Sequence, residues 1–275
     1  MKLRSRNWTP PVLAAGLFCG VILLSACERT SVMPTATMSA GALSDEQTRH
    51  LAAQTIFFGH QSVGDNIVQG IRDLMASDPR LRLNLITSPH PAGPIGPAFV
   101  ESHIGENTHP RSKNKAFQNI MDEQRAGIAM MKYCYVDIGP ETDVTRMFAE
   151  YSDLISQARA KYPKLKIIHI TVPLTTVEST EKAWLKHALG RPTARADNLK
   201  RNQFNQLLRK EFESEGIFDL AQVESTHADG SREYFIEGGM KVYSLAPEYT
   251  SDGGHLNEIG RRLAAQQLLI TLSKH

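Results

Sequence analysis

Thr55-Ile56-Phe57-Phe58-Gly59-His60-Gln61-Ser62-Val63-Gly64 is the stretch that decides the fold. Its first five residues form a short apolar run ending in glycine, the pattern of a buried strand. The next segment is helical in pattern. Over residues 65–75, Ile67, Val68, Ile71 and Leu74 recur at helical spacing. The same alternation continues along the chain. Residues 81–86, 133–138, 165–172 and 217–220 have the pattern of strands, and residues 112–125, 144–161, 197–213 and 256–272 that of helices. Strands separated by helices predict a parallel sheet covered on both faces. Residues 88–97 hold four prolines and two glycines and predict a loop. Two long connections, 173–196 and 223–251, stand out, because loops of that length are usually functional or disordered.

The first residues belong to targeting. Lys2, Arg4 and Arg6 form a positive start, and residues 12–24 are apolar or small without a charge. The run is too short for a confident membrane span, which needs about 20 residues. Leu24-Ser25-Ala26-Cys27 looks like a bacterial lipobox, which implies lipidation at Cys27 and a membrane anchor. Glu28 stands where an inner-membrane retention signal more often has Asp, and so favours the outer membrane. The expected organisation is a signal peptide over 1–26, a flexible tether over 27–43 and a single domain over 44–275. Ser44-Asp45-Glu46-Gln47 supplies capping residues for a first helix.

Charge excludes one class. The 275 residues carry 31 Lys+Arg and 29 Asp+Glu, a formal +2. Without the three basic residues of the leader, 28 basic face 29 acidic residues. No basic excess is present, so no nucleic-acid partner is expected. The three cysteines exclude a fully paired disulfide framework.

Ligands of a parallel sheet bind at the carboxyl ends of its strands. After the first strand comes Ser62, at a strand-to-helix turn beside a helix N-terminus that favours negative charge. That suits a nucleophile whose attack creates an oxyanion. It also suits a plain helix N-cap. Near the other end, Asp252-Gly253-Gly254-His255-Leu256-Asn257 puts a carboxylate three residues before an imidazole, across two glycines. Asp252 can then orient His255 as a base, or the stretch can simply cap the last helix.

Taken together, Ser62 and Asp252-x-x-His255 resemble the SGNH (GDSL-like) hydrolases over about residue 55 to the C-terminus. Asp219 after a strand, and Asn202 and Asn205 in the helix before it, look typical of that family. The resemblance implies a flavodoxin-like three-layer α/β/α sandwich with a mostly parallel sheet. It implies an esterase without a cofactor, in which Ser62 is nucleophile, His255 base and acid, and Asp252 its orienting partner. Its expected partner is an ester substrate, with an acetylated polysaccharide among the options, and a monomer is expected. A polysaccharide O-acetyltransferase and a non-catalytic carbohydrate-binding lipoprotein are the alternatives on the same fold.

The departures lie in two motifs. Gly59-His60-Gln61-Ser62 stands where the family has Gly-Asp-Ser. The segment from Tyr135 to Asp143 lacks the family's Asn, whose amide donates to the oxyanion. An ionised carboxylate cannot donate in its place. The expected oxyanion hole is therefore Ser62, Gly105 and Asn107. His60, Gln61 and Glu141 are expected to line the site. His90, His103 and His109, with Glu101 and Glu106, match no compact ligand spacing, so no metal is expected. Cys134 is expected as a buried small hydrophobe. Trp184 and the basic stretch 182–195 are expected either to contact substrate or to cover the site's edge. Tyr234, Phe235, Tyr243 and Tyr249 are expected as a lid or stacking platform.

Overall fold

The computed structural model describes residues 43–88, 96–123, 127–178 and 194–275. The expected signal peptide, Cys27, the tether up to residue 42, His90, Trp184 and most of the basic stretch lie outside them, whereas Leu43, assigned to the tether, is buried in the core.

In chain order the elements are α1 (Asp45–Ala52), β1 (Thr55–His60), α2 (Val63–Ser77), β2 (Leu85–Thr87), β3 (Ala98–His103), α3 (Pro110–Glu123) and β4 (Ile128–Met131). After these come α4 (Val144–Lys161), β5 (Lys166–Ile170), α5 (Ala194–Glu211), β6 (Gly216–Phe218), α6 (Leu220–Glu224), β7 (Tyr234–Glu237), β8 (Met240–Tyr243) and α7 (Glu258–Leu272). Six strands form one parallel sheet in the order β2-β3-β1-β4-β5-β6. β7 and β8 form a separate antiparallel hairpin.

Alternation along the strands divides the core in two. Ile56 and Phe58 of β1 pack with Val63, Ile67 and Ile71 of α2 and with Ala265 and Leu268 of α7. Phe57 faces the opposite layer, with Phe117 of α3, Ile155 of α4 and Phe204 of α5. The chain is thus an α/β/α sandwich over a parallel sheet, as expected. α2 and α7 approach closely at Gly70, where a Cβ would lie 2.2 Å from the Arg261 carbonyl oxygen.

Three expectations need correction. The central strand is residues 128–131, not 133–138; residues 135–137 form a 3₁₀ turn instead. Lys132, which lies between the two apolar runs, is fully buried. β3 was not expected, and it pairs with β1 residue for residue from Thr55↔Ala98 to His60↔His103. The second strand is also shorter than 81–86, because Leu81 and Leu83 are buried without joining the sheet.

Two buried amides hold the carboxyl edge together. Asn205 Nδ2 donates to Val172 O (2.9 Å) and its Oδ1 accepts from Val172 N (2.7 Å). Asn202 brackets Tyr243 in the same way, so α5 fixes both the end of β5 and the hairpin. Asp219 caps α6 and pairs with Arg209 at 2.7 Å.

Candidate active site

Ser62 stands at the N-cap position of α2 but does not act as a cap. Its side chain makes no cap hydrogen bond. Its backbone has φ 39° and ψ −90°, a left-handed conformation that a residue with a Cβ rarely adopts. Strain of this kind costs about 1–3 kcal/mol and collects at functional sites. The Ser62 Oγ lies 4.0 Å from the Cys134 Sγ. Cys134 is buried as expected, at the start of the 3₁₀ turn, and its Sγ accepts from Lys132 Nζ at 3.5 Å.

The Asp252-His255 contact is formed. Asp252 Oδ2 is 2.7 Å from His255 Nδ1, while its Oδ1 accepts the N–H groups of Gly254 (2.9 Å) and His255 (2.8 Å). Gly253, at φ +90°, turns the chain back for this closure. The hydrogen bond from His255, then those two N–H groups, hold the Asp252 carboxyl far below the usual carboxylate range. It therefore stays charged and fixes the proton of the ring on Nδ1, leaving Nε2 as the basic nitrogen.

That nitrogen has a partner which the sequence did not suggest. Tyr135 Oη lies 3.3 Å from His255 Nε2, and the rings meet edge on. Gly254 makes room for the phenol, since a Cβ there would sit 3.0 Å from Tyr135 Cζ. Arg201 Nε donates to the Tyr135 carbonyl at 3.0 Å. Among the described residues no hydrogen bond joins His255 to Ser62. The two segments are instead stitched one turn further on, where Asn66 Oδ1 accepts from Leu256 N at 3.0 Å.

Gln61 ties the serine turn to the expected oxyanion loop, its Nε2 donating to the carbonyls of Ile104 (3.3 Å) and Gly105 (3.0 Å). Gly105 has φ +56°, and a Cβ there would meet the Lys113 backbone at 2.5 Å. Asn107 is exposed, with its Oδ1 accepting from Lys113 Nζ at 3.0 Å. Lys113 in turn pairs with buried Asp137, which also accepts from Cys134 N (2.6 Å) and Thr108 N (2.8 Å). One carboxylate thus holds the loop around Thr108 to the turn beside Ser62. Glu141 is exposed on the turn ahead of α4.

A cleft of about 510 Å³ opens beside Asp252, lined among others by Tyr135, Gly139, Thr176 and Arg201. The hairpin aromatics are engaged by the chain's own cations. Arg195 lies over Phe235 (4.4 Å) and Arg232 over Tyr243 (4.1 Å), while Tyr249 is buried.

No family model and no curated protein matches the sequence. Solved structures match at low identity. A carbohydrate esterase family 3 protein from Talaromyces cellulolyticus is 13% identical, over 80% of this chain and 97% of its own, with a TM-score of 0.42. A candidate GDSL-like lipase from Parabacteroides merdae is 13% identical, over 80% and 95%, with a TM-score of 0.46. The OSK domain of Drosophila Oskar is 14% identical, over 84% and 97%, with a TM-score of 0.41. The chain is similar to these proteins in fold. Its own sheet order and layering define the class as an α/β/α sandwich over a parallel sheet.

Proposed function

We propose that this protein is a serine esterase that cleaves O-acetyl or short acyl esters through an acyl-enzyme on Ser62. The observation that carries the reading is the strained, uncapped Ser62. A serine serving only as a cap would relax to extended backbone and bond an amide N–H; this one does neither. His255, oriented by Asp252, takes the serine proton as Oγ attacks the acyl carbon, then gives it to the leaving alcohol. Water repeats the sequence and releases the acid. Donors for the oxyanion are the Ser62 and Gly105 N–H groups with the Asn107 amide. For His255 to reach Ser62, its Nε2 must exchange the Tyr135 hydroxyl for the serine. The likeness of Leu24-Ser25-Ala26-Cys27 to a lipobox supports a lipid anchor in the bacterial envelope, the outer membrane favoured, where acetylated polysaccharides are reachable substrates.

The test is fluorophosphonate labelling and p-nitrophenyl acetate turnover of the full-length protein. Labelling and turnover that vanish in Ser62→Ala support the esterase. A folded wild type that neither labels nor turns over points to the non-catalytic reading. Acyl transfer to a sugar that outruns hydrolysis points to the acetyltransferase.

A further inference from the structure

His60, two residues before Ser62, is fully buried at the carboxyl end of β1. Its Nε2 is 3.0 Å from Glu101 Oε2 on β3. Burial pushes the Glu101 carboxyl up, but hydrogen bonds from His60 and Thr87 outweigh it and hold it below its ordinary value. Burial pushes the His60 imidazole below its ordinary value. The carboxylate facing Nε2 holds the imidazole N–H on that side, and Nδ1 is left as the acceptor nitrogen. That Nδ1 is buried and has no hydrogen-bond partner. Leaving such an atom unpaired costs about 1–3 kcal/mol.

A set of ligand atoms faces the lone pair. Asp65 Oδ1 is 3.8 Å from His60 Nδ1 and 2.7 Å from His103 Nε2. All three atoms lie within 4.8 Å of one another. The sheet register puts His60 beside His103, and the first turn of α2 brings Asp65 over both. Gly64 keeps the approach open, because a Cβ there would lie 2.4 Å from His60 Nδ1.

We propose that His60, Asp65 and His103 form a binding site for a divalent transition-metal cation, with Zn²⁺ the best fit. Two imidazoles and a carboxylate are a zinc donor set, and Glu101 behind His60 is the carboxylate that orients a ligating histidine. Ligand bonds of about 2.0–2.1 Å in a tetrahedron place donor atoms about 3.3 Å apart. The observed 2.7 and 3.8 Å straddle that value. The His103 and Asp65 side chains are about half exposed and free to adjust, while His60 is fixed. The opposing charge at His60 is Lys132, whose burial pushes it toward its neutral form. A fourth position is left for water or a ligand. The cation would clamp the β1–α2 turn that carries Ser62 to β3.

The experiment takes full-length protein stripped with a chelator, titrated with Zn²⁺ by calorimetry and with Co²⁺ by visible absorption. One equivalent should bind, with the intense bands of low-coordinate Co²⁺. His103→Ala and Asp65→Asn, both exposed and checked for fold by circular dichroism, should each weaken binding by roughly 100-fold or more. His109→Ala, outside the cluster, should leave it unchanged. Absence of binding by wild type, or wild-type affinity in both cluster variants, overturns the proposal. Neither readout depends on esterase activity.

Discussion

Tyr135 Oη sits 3.3 Å from His255 Nε2, on the one imidazole nitrogen that a serine base has to offer its nucleophile. With Nδ1 protonated toward Asp252, the phenol is the donor in this bond and competes with the Ser62 hydroxyl. Removing it in Tyr135→Phe removes a resting-state bond worth about 0.5–1.5 kcal/mol. The expected result is a kcat/KM for p-nitrophenyl acetate unchanged or raised by up to about tenfold. A hundredfold loss would make Tyr135 part of the chemistry.

Asp252→Asn keeps the shape and removes the charge that sets the His255 tautomer. Turnover should fall by about 10⁴-fold with little change in KM. The exposed pair contributes little to folding, so the urea midpoint should stay near that of wild type.

Strain at Ser62 predicts a stability difference between two inactive variants. Alanine inherits φ 39°, whereas glycine adopts it freely at the cost of greater chain entropy. Ser62→Gly should be more stable than Ser62→Ala by about 1 kcal/mol in urea unfolding. Equal midpoints would mean that the turn is unstrained.

Asn107→Ala should lower kcat by about 100- to 1000-fold if its amide donates to the oxyanion. Unchanged turnover in the folded variant removes it from the hole and leaves the backbone donors.

Glu224 sets a pH dependence. Burial pushes its carboxyl up to about 8, against the N–H of Leu174 and the nearby cations Lys132 and Arg201. The folded chain therefore keeps a proton that the unfolded chain has lost, and stability falls as pH rises toward 8. Burial pushes His169 down to about 4, and it works the other way, adding stability as pH rises from about 4 to 6.5. The Glu224 effect is thus clearest above pH 6.5. Between pH 6.5 and 8 the wild type should lose about 1–2 kcal/mol. Glu224→Gln, which keeps an acceptor for Leu174 N, should flatten that slope in urea titrations.

Several features were legible in the chain because they are local. The α4 periodicity gave residues 144–161 without error. Asp252 and His255 lie three residues apart, so two glycines suffice to bring them together. The β7–β8 hairpin was equally available and was missed. Gly238-Gly239, with φ +56° and +80°, is a two-residue hairpin turn between Tyr234–Glu237 and Met240–Tyr243.

What the sequence determined by itself was the alternation of strands and helices, the strand-to-helix turn at Ser62 and the Asp252-x-x-His255 contact. Each depends on residues near one another in the chain. Only the tertiary structure decided that the central strand ends before a buried lysine, that Tyr135 meets His255 Nε2, and that His60 meets His103. These depend on sheet register and on burial supplied by distant segments. Burial of Lys132 and pairing across 43 residues leave no local periodicity to read.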